Sequence, residues 1–167
     1  VVTHEQGRVP APDLLWQALA EIEDPELPIA ITDLGLVHAA ALEDGNARVE
    51  LLPTFTGCPA LDVIRDRVRQ RLLSIPGVER AEVVFVFEPP WTVERMSQAG
   101  RTRLREHGMS VSTGGGSEPV VCPVCGSANT ALENAFGPTL CRAIYYCRDC
   151  RNPIERFKSP GDALRRG

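Results

Sequence analysis

Apolar positions divide the first hundred residues into alternating helical and extended stretches. Leu14, Leu15, Ala18, Leu19 and Ile22 recur at helical spacing, and Pro12 and Asp24-Pro25 bound the helix they predict. Leu36–Leu42 and Arg48–Leu52 flank Glu43-Asp44-Gly45-Asn46, which predicts a β-hairpin with Gly45 and Asn46 supplying the turn. Leu61, Ile64, Val68 and Leu72 share one face of a second helix, with Arg65, Asp66, Arg69 and Gln70 mainly outside. Pro76-Gly77 stops that helix, and Val83-Val84-Phe85-Val86-Phe87 reads as a buried third strand. The order α-β-β-α-β predicts an α+β fold, a small mixed sheet packed by helices.

Periodicity then stops. The polar, glycine-rich stretch Ser112 to Ser117 has the composition of a flexible linker. The expected organisation is a first domain over 10–110, a linker over 111–117 and a second domain over 118–160. Beyond the linker lie Cys122-Pro123-Val124-Cys125 and Cys147-Arg148-Asp149-Cys150. Two intervening residues let each pair turn both sulfurs toward one ion, and Gly126 permits the tight backbone that follows. Two such pairs make a tetrahedral thiolate site, the chemistry of a structural zinc ribbon, although a rubredoxin-like iron site uses the same ligands. The span between the pairs is slightly long but able to form a hairpin, and Ala143 to Tyr146 has strand character. So short a segment, poor in large apolar groups, needs such a staple. Cys141 reads as a small buried residue, and as a ligand only if one pair were broken.

Bulk properties narrow the function classes. Among 167 residues 24% are charged and 43% hydrophobic, with a net charge of -4. That acidity argues against nucleic acid, although Arg148, Arg151 and Arg156 with Tyr145 and Tyr146 would suit a single strand. No apolar run reaches the roughly 20 residues of a membrane helix. The opening VVTHEQGRVP lacks a basic stretch followed by an apolar core, so no secretory signal is expected and the cytoplasm is the expected compartment. There, cysteines serve as ligands or reactive thiols rather than disulfides.

Cys58 stands apart from the other five. It precedes Pro59 at the expected start of the second helix, where free amides and the helix dipole favour a thiolate, so a lowered pKa is expected. Asp24, Glu26 and Asp33 form an acidic counterweight, while Thr54 and Thr56 offer hydroxyls. The bland readings are that Asp24 ends a helix, Asp33 caps a turn and Cys58 is a core residue. His38 reads as structural, and no phosphate loop or Ser-His-Asp set is present.

Three motifs carry a family resemblance: DPELP (Asp24 to Pro28), DLGLV (Asp33 to Val37) and TGCPA (Thr56 to Ala60). With them, the first domain resembles the SufT/PaaD type of metal–sulfur cluster assembly domain. The PaaD subfamily, the D component of phenylacetyl-CoA epoxidase systems, adds the stretch from Phe87 to Met109, the CPVCGS ribbon and the segment from Phe136 to Lys158, all found here. The resemblance implies a maturation factor in aerobic phenylacetate degradation without turnover chemistry of its own. It implies the epoxidase's di-iron oxygenase and its flavin and iron–sulfur reductase as client proteins. It also maps iron or cluster transfer onto Cys58, Asp24, Glu26, Asp33 and Thr56. One cysteine cannot hold a cluster alone, so a client or a second copy in a homodimer would add ligands. The alternative is a structural or docking subunit of the epoxidase complex.

Overall fold

The computed structural model describes residues 12–111 and 119–158. The glycine-rich stretch read as a linker lies almost entirely outside them. Helix α1 (Pro12–Ala20) is followed by strands β1 (Val37–Glu43) and β2 (Asn46–Leu51), helix α2 (Ala60–Leu73) and strand β3 (Arg80–Phe85). This is the expected α-β-β-α-β order. Strand β2 is central, antiparallel to β1 and parallel to β3, so the sheet is mixed. Leu15, Ala18 and Leu19 of α1 and Ile64, Val68 and Leu72 of α2 are buried together with Ala47, Val49 and Leu51 of β2. Each large aliphatic group buried there stabilises the fold by about 1.5–3 kcal/mol. The opposite sheet face is polar, with Arg48 bridging Glu50 at 3.3 Å and Glu82 at 2.8 Å.

Three local expectations are corrected. Helix α1 ends at Ala20, because Glu23 already pairs with Ala30 before Asp24 is reached, and Leu14 is exposed, off the face that buries Leu15, Ala18 and Leu19. The hairpin turn is Asp44-Gly45, both with positive φ (45° and 73°), while Asn46 already pairs with Glu43. A tight two-residue turn of this hand matches the twist of the strands. The third strand begins at Arg80 and occupies the sheet edge, so its side chains are only partly covered and Phe87 beyond it is exposed.

The stretch after β3 is a clamp. A 3-10 turn (Val93–Arg95) leads into α3 (Gln98–Glu106), which is capped by the Ser97 hydroxyl accepting the Gly100 N–H at 3.0 Å. Trp91 Nε1 donates to Leu34 O at 2.9 Å, and Arg95 Nε donates to Gly35 O at 3.1 Å. Gly35 has φ of 71°, and a Cβ there would lie 2.5 Å from Arg95 O. No other residue fits that approach.

A second sheet has the order β4-β7-β6-β5, from β4 (Met109–Ser110), β5 (Thr130–Asn134), β6 (Arg142–Cys147) and β7 (Pro153–Phe157). Its antiparallel strands β5, β6 and β7 form the ribbon, and β4 joins β7 in parallel. The ribbon's own core is small: Val120, Cys122, Cys147 and Ile154. Cys141 and Phe157 instead belong to the larger core of the first sheet, with Phe157 5.5 Å from the Trp91 ring. Arg142 closes the seam, reaching Glu155 at 2.7 Å and Glu26 at 3.4 Å.

Candidate functional site

Two groups of cysteines occupy opposite settings. In the ribbon, the Sγ atoms of Cys122, Cys125, Cys147 and Cys150 all lie within 4.8 Å of one another. Local backbone builds the arrangement. Gly126 N–H donates to Cys122 O at 2.9 Å with Gly126 at φ 76°, and Arg151 N–H donates to Cys147 O at 2.9 Å with Arg151 at φ 61°. The two knuckles are tied by Asp149, which accepts from Ser127 Oγ at 2.5 Å and Asn129 Nδ2 at 2.7 Å. These bonds hold its carboxyl below the usual range, Ser127 contributing most.

The donor set fits a soft tetrahedral ion. Cys122 and Cys150 sulfurs are 3.6 Å apart, as are those of Cys125 and Cys147. An ion with metal–sulfur bonds of about 2.3 Å spaces its sulfurs about 3.8 Å apart. As thiols, Cys150 and Cys125 are shifted in opposite directions. The Asn152 side-chain amide draws Cys150 down to about 6. At Cys125 the Ser127 N–H pulls downward, but desolvation and the sulfurs of Cys150, Cys147 and Cys122 push it up to about 12. A cation is what allows four thiolates to stand this close. All four positions belong to protein sulfur, so the group suits a structural ion. Cys141 lies outside this set.

The second group surrounds a cavity of about 30 Å³ between the first sheet and the ribbon. Cys58, Asp24 and Glu26 line it, and so do Cys141 and Arg142, against an apolar wall that includes Ile64 and Phe157. Cys58 is placed by the loop after β2. Its N–H donates to Phe55 O at 3.3 Å, and Pro59 is the N-cap of α2 with helical φ and ψ. The expected helix-start amide is present, since the Ala60 N–H bonds the thiol and lowers its pKa. Burial is the larger effect and raises it, aided by Cys141, Glu26 and Asp24. The expected lowered pKa is therefore corrected to a raised one: the helix-end amide does not compensate for lost water.

Asp24 is fixed by its own loop, Oδ1 accepting the N–H groups of Glu26 at 2.9 Å and Leu27 at 3.0 Å. Burial raises its carboxyl above the usual range despite those bonds. Asp33 and Thr56 do not line the cavity. Asp33 Oδ1 instead accepts from Ser97 Oγ at 2.5 Å, and Asp33 O accepts the Ser97 N–H at 2.9 Å, docking α3. Thr56 is exposed in the loop. The cavity thus gathers Cys58, Asp24 and Glu26 and omits two of the five residues expected with them. It adds Cys141 and Arg142, whose sequence signal is their place in the Phe136–Lys158 segment beside the ribbon, which does not point to this cavity.

Comparison with known proteins accounts for both halves. Residues 106–158 match the family described as PaaD zinc beta ribbon domain, and residues 13–83 the family described as iron-sulfur cluster assembly protein. The chain is 36% identical over 150 residues to the D component of the putative 1,2-phenylacetyl-CoA epoxidase of Escherichia coli, covering 86% of this chain and 90% of that protein. It is 40% identical over 82 residues to the Fe-S protein maturation auxiliary factor SufT of Staphylococcus aureus, covering 48% of this chain and 93% of the relative. A crystal structure of a domain of unknown function, DUF59, from Bacillus anthracis superposes with a TM-score of 0.53 at 37% identity, covering 56% of this chain and 90% of the other. With both domains in the same order and a relative matched nearly end to end, the chain belongs to the PaaD family, an iron–sulfur cluster assembly domain joined to a zinc β-ribbon.

Proposed function

We propose that this chain is a maturation factor for a phenylacetyl-CoA epoxidase system, handing iron or an iron–sulfur unit to the oxygenase and reductase components. The observation that carries this reading is the cavity in which Cys58 meets two carboxylates on an assembly-type domain. A thiol kept protonated by burial is inert until a cation arrives. The cation then displaces the proton, and the Cys58 thiolate holds the cargo beside Asp24 and Glu26. A client's thiolates take it by ligand exchange, with no change in oxidation state. Zinc in the ribbon keeps the second sheet folded and stays out of the transfer. Asp33 acts by positioning α3. Service to such clients implies a cytoplasmic chain, and a second copy is not required for the exchange.

One observation favours a docking subunit instead: the ribbon exposes Val121, Val124, Leu132, Phe136 and Leu140. Such side chains suit a protein surface. Add-back separates the readings. Oxygenase and reductase purified from cells that also produce this chain are expected to be fully active when assayed without it. Activity that appears only when the chain is added in equal amount to fully metallated components would favour docking.

A further inference from the structure

The transfer reading leaves Cys58 as a single sulfur, too few to hold a metal securely. A second thiol faces the same cavity. Cys141 is buried, packs in the core of the first sheet rather than with the ribbon sulfurs, and lines the cavity with Cys58, Asp24 and Glu26. It arrives at the start of β6, so the site is completed only when the ribbon sheet closes against the assembly domain.

The Cys141 sulfur is held in place by polar neighbours. Arg142 Nε donates to Thr139 Oγ1 at 2.7 Å. The same Thr139 hydroxyl hydrogen-bonds Cys141 Sγ at 3.2 Å, which fixes the position of the sulfur at the cavity wall. Arg142 also reaches Glu26 Oε2 at 3.4 Å, which keeps that carboxylate at the cavity's edge.

We propose, building on the transfer reading, that Cys58 and Cys141 together bind one thiophilic divalent ion, with ferrous iron as cargo and Asp24 or Glu26 completing the coordination. Size decides between ion and cluster. A space of about 30 Å³ holds one or two water-sized occupants, enough for an ion with a water but not for an iron–sulfur cluster. Binding is an exchange of two thiol protons for one ferrous ion, the protons leaving to solvent and the iron remaining ferrous. Among the described residues only the ribbon sulfurs form a set of three or more ligand atoms within 4.8 Å. On this proposal, binding an ion at the cavity requires its ligand side chains to turn inward, and the site is the weaker and more exchangeable of the two.

The test uses the full chain with its ribbon filled by zinc, titrated anaerobically with ferrous iron and read by X-ray absorption at the iron edge, where zinc is silent. About one iron per chain with two sulfur neighbours is expected. Cys141→Ser should leave one sulfur and weaken iron binding by at least about tenfold, while zinc stays at one per chain. An unchanged sulfur count and affinity in Cys141→Ser overturns the proposal, as does one sulfur, or four, around iron in the wild type. Should Cys141→Ser lose zinc and unfold, the wild-type sulfur count decides alone. Iron held by one sulfur and released in Cys58→Ser sinks the Cys141 assignment but leaves the transfer reading intact; no iron bound at all sinks both.

Discussion

In the ribbon, four sulfurs are brought together by turns that close within a few residues, and the strands around them have little core of their own. At the Cys58 cavity the order is reversed. A large apolar core holds the walls, and two of the groups at it have their ionised forms disfavoured: the Cys58 thiol and the Asp24 carboxyl are both raised, chiefly by burial. One site has the donor set of a structural metal and little apolar core beside it. The other is folded already and holds its ligands at a cost in stability. The contrast separates the cysteines by setting: the ribbon sulfurs converge on one another, whereas the Cys58 thiol stands protonated beside carboxylates.

The largest effect should come from breaking the ribbon. Cys147→Ser removes one of four ligands from a site whose metal contributes on the order of 10 kcal/mol or more to folding. Zinc content should fall from one per chain to near zero, and β5, β6 and β7 should lose protection in hydrogen exchange. The first sheet should feel the loss, because Phe157 packs on Trp91 and Arg142 bridges to Glu26. Its urea midpoint is expected to drop. An unmoved midpoint would show that the two cores are energetically separate.

The next effect lies in the clamp between them. A Cβ on Gly100 would stand 2.6 Å from Asp33 O, a backbone atom that cannot swing aside. Gly100→Ala should cost about 2–3 kcal/mol in urea unfolding, because overpacking at fixed backbone is not relieved. The Ser97–Asp33 contact should open with it, while zinc stays bound.

These contrasts explain what the sequence can and cannot disclose. The ribbon is legible because its information is local: two CxxC pairs specify two turns. The helical face of Ile64, Val68 and Leu72 is legible for the same reason. Helix α3 is not, since only Gly100 and Leu104 are buried in it and three arginines mask the period. Of the motif residues, Asp24, Glu26 and Cys58 line one cavity, while Asp33 and Thr56 fall elsewhere. Motif order along the chain does not say which loop a capping serine such as Ser97 will claim. Cys141 is hidden by its neighbours: proximity to the ribbon in sequence conceals membership of the other core.

The smallest stability effect sharpens the cavity side. Asp24 has a folded-state pKa above its unfolded value, so the folded protein binds the extra proton. Stability contributed by that proton is present below the usual Asp range and is lost as pH rises through the raised value. Asp24→Asn keeps the Oδ1 acceptor for Glu26 and Leu27 and cannot ionise. Its urea midpoint should therefore slightly exceed that of the wild type at pH 7, and the gap should close near pH 3. Iron loading of the cavity should weaken at the same time. A variant less stable at pH 7 would mean that the carboxylate is held by favourable contacts rather than at a cost.

The central claim is that Cys58 hands metal to clients. The direct measurement is the iron and sulfide content of the reductase, and the iron content of the oxygenase, purified from cells producing either the wild type or Cys58→Ser. The substitution should change stability by less than about 1 kcal/mol, since the side chains are nearly equal in size. With Cys58→Ser, client metal content is expected at the level of cells lacking the chain, with the variant itself folded and holding one zinc. Fully metallated clients beside a folded Cys58→Ser variant would contradict it.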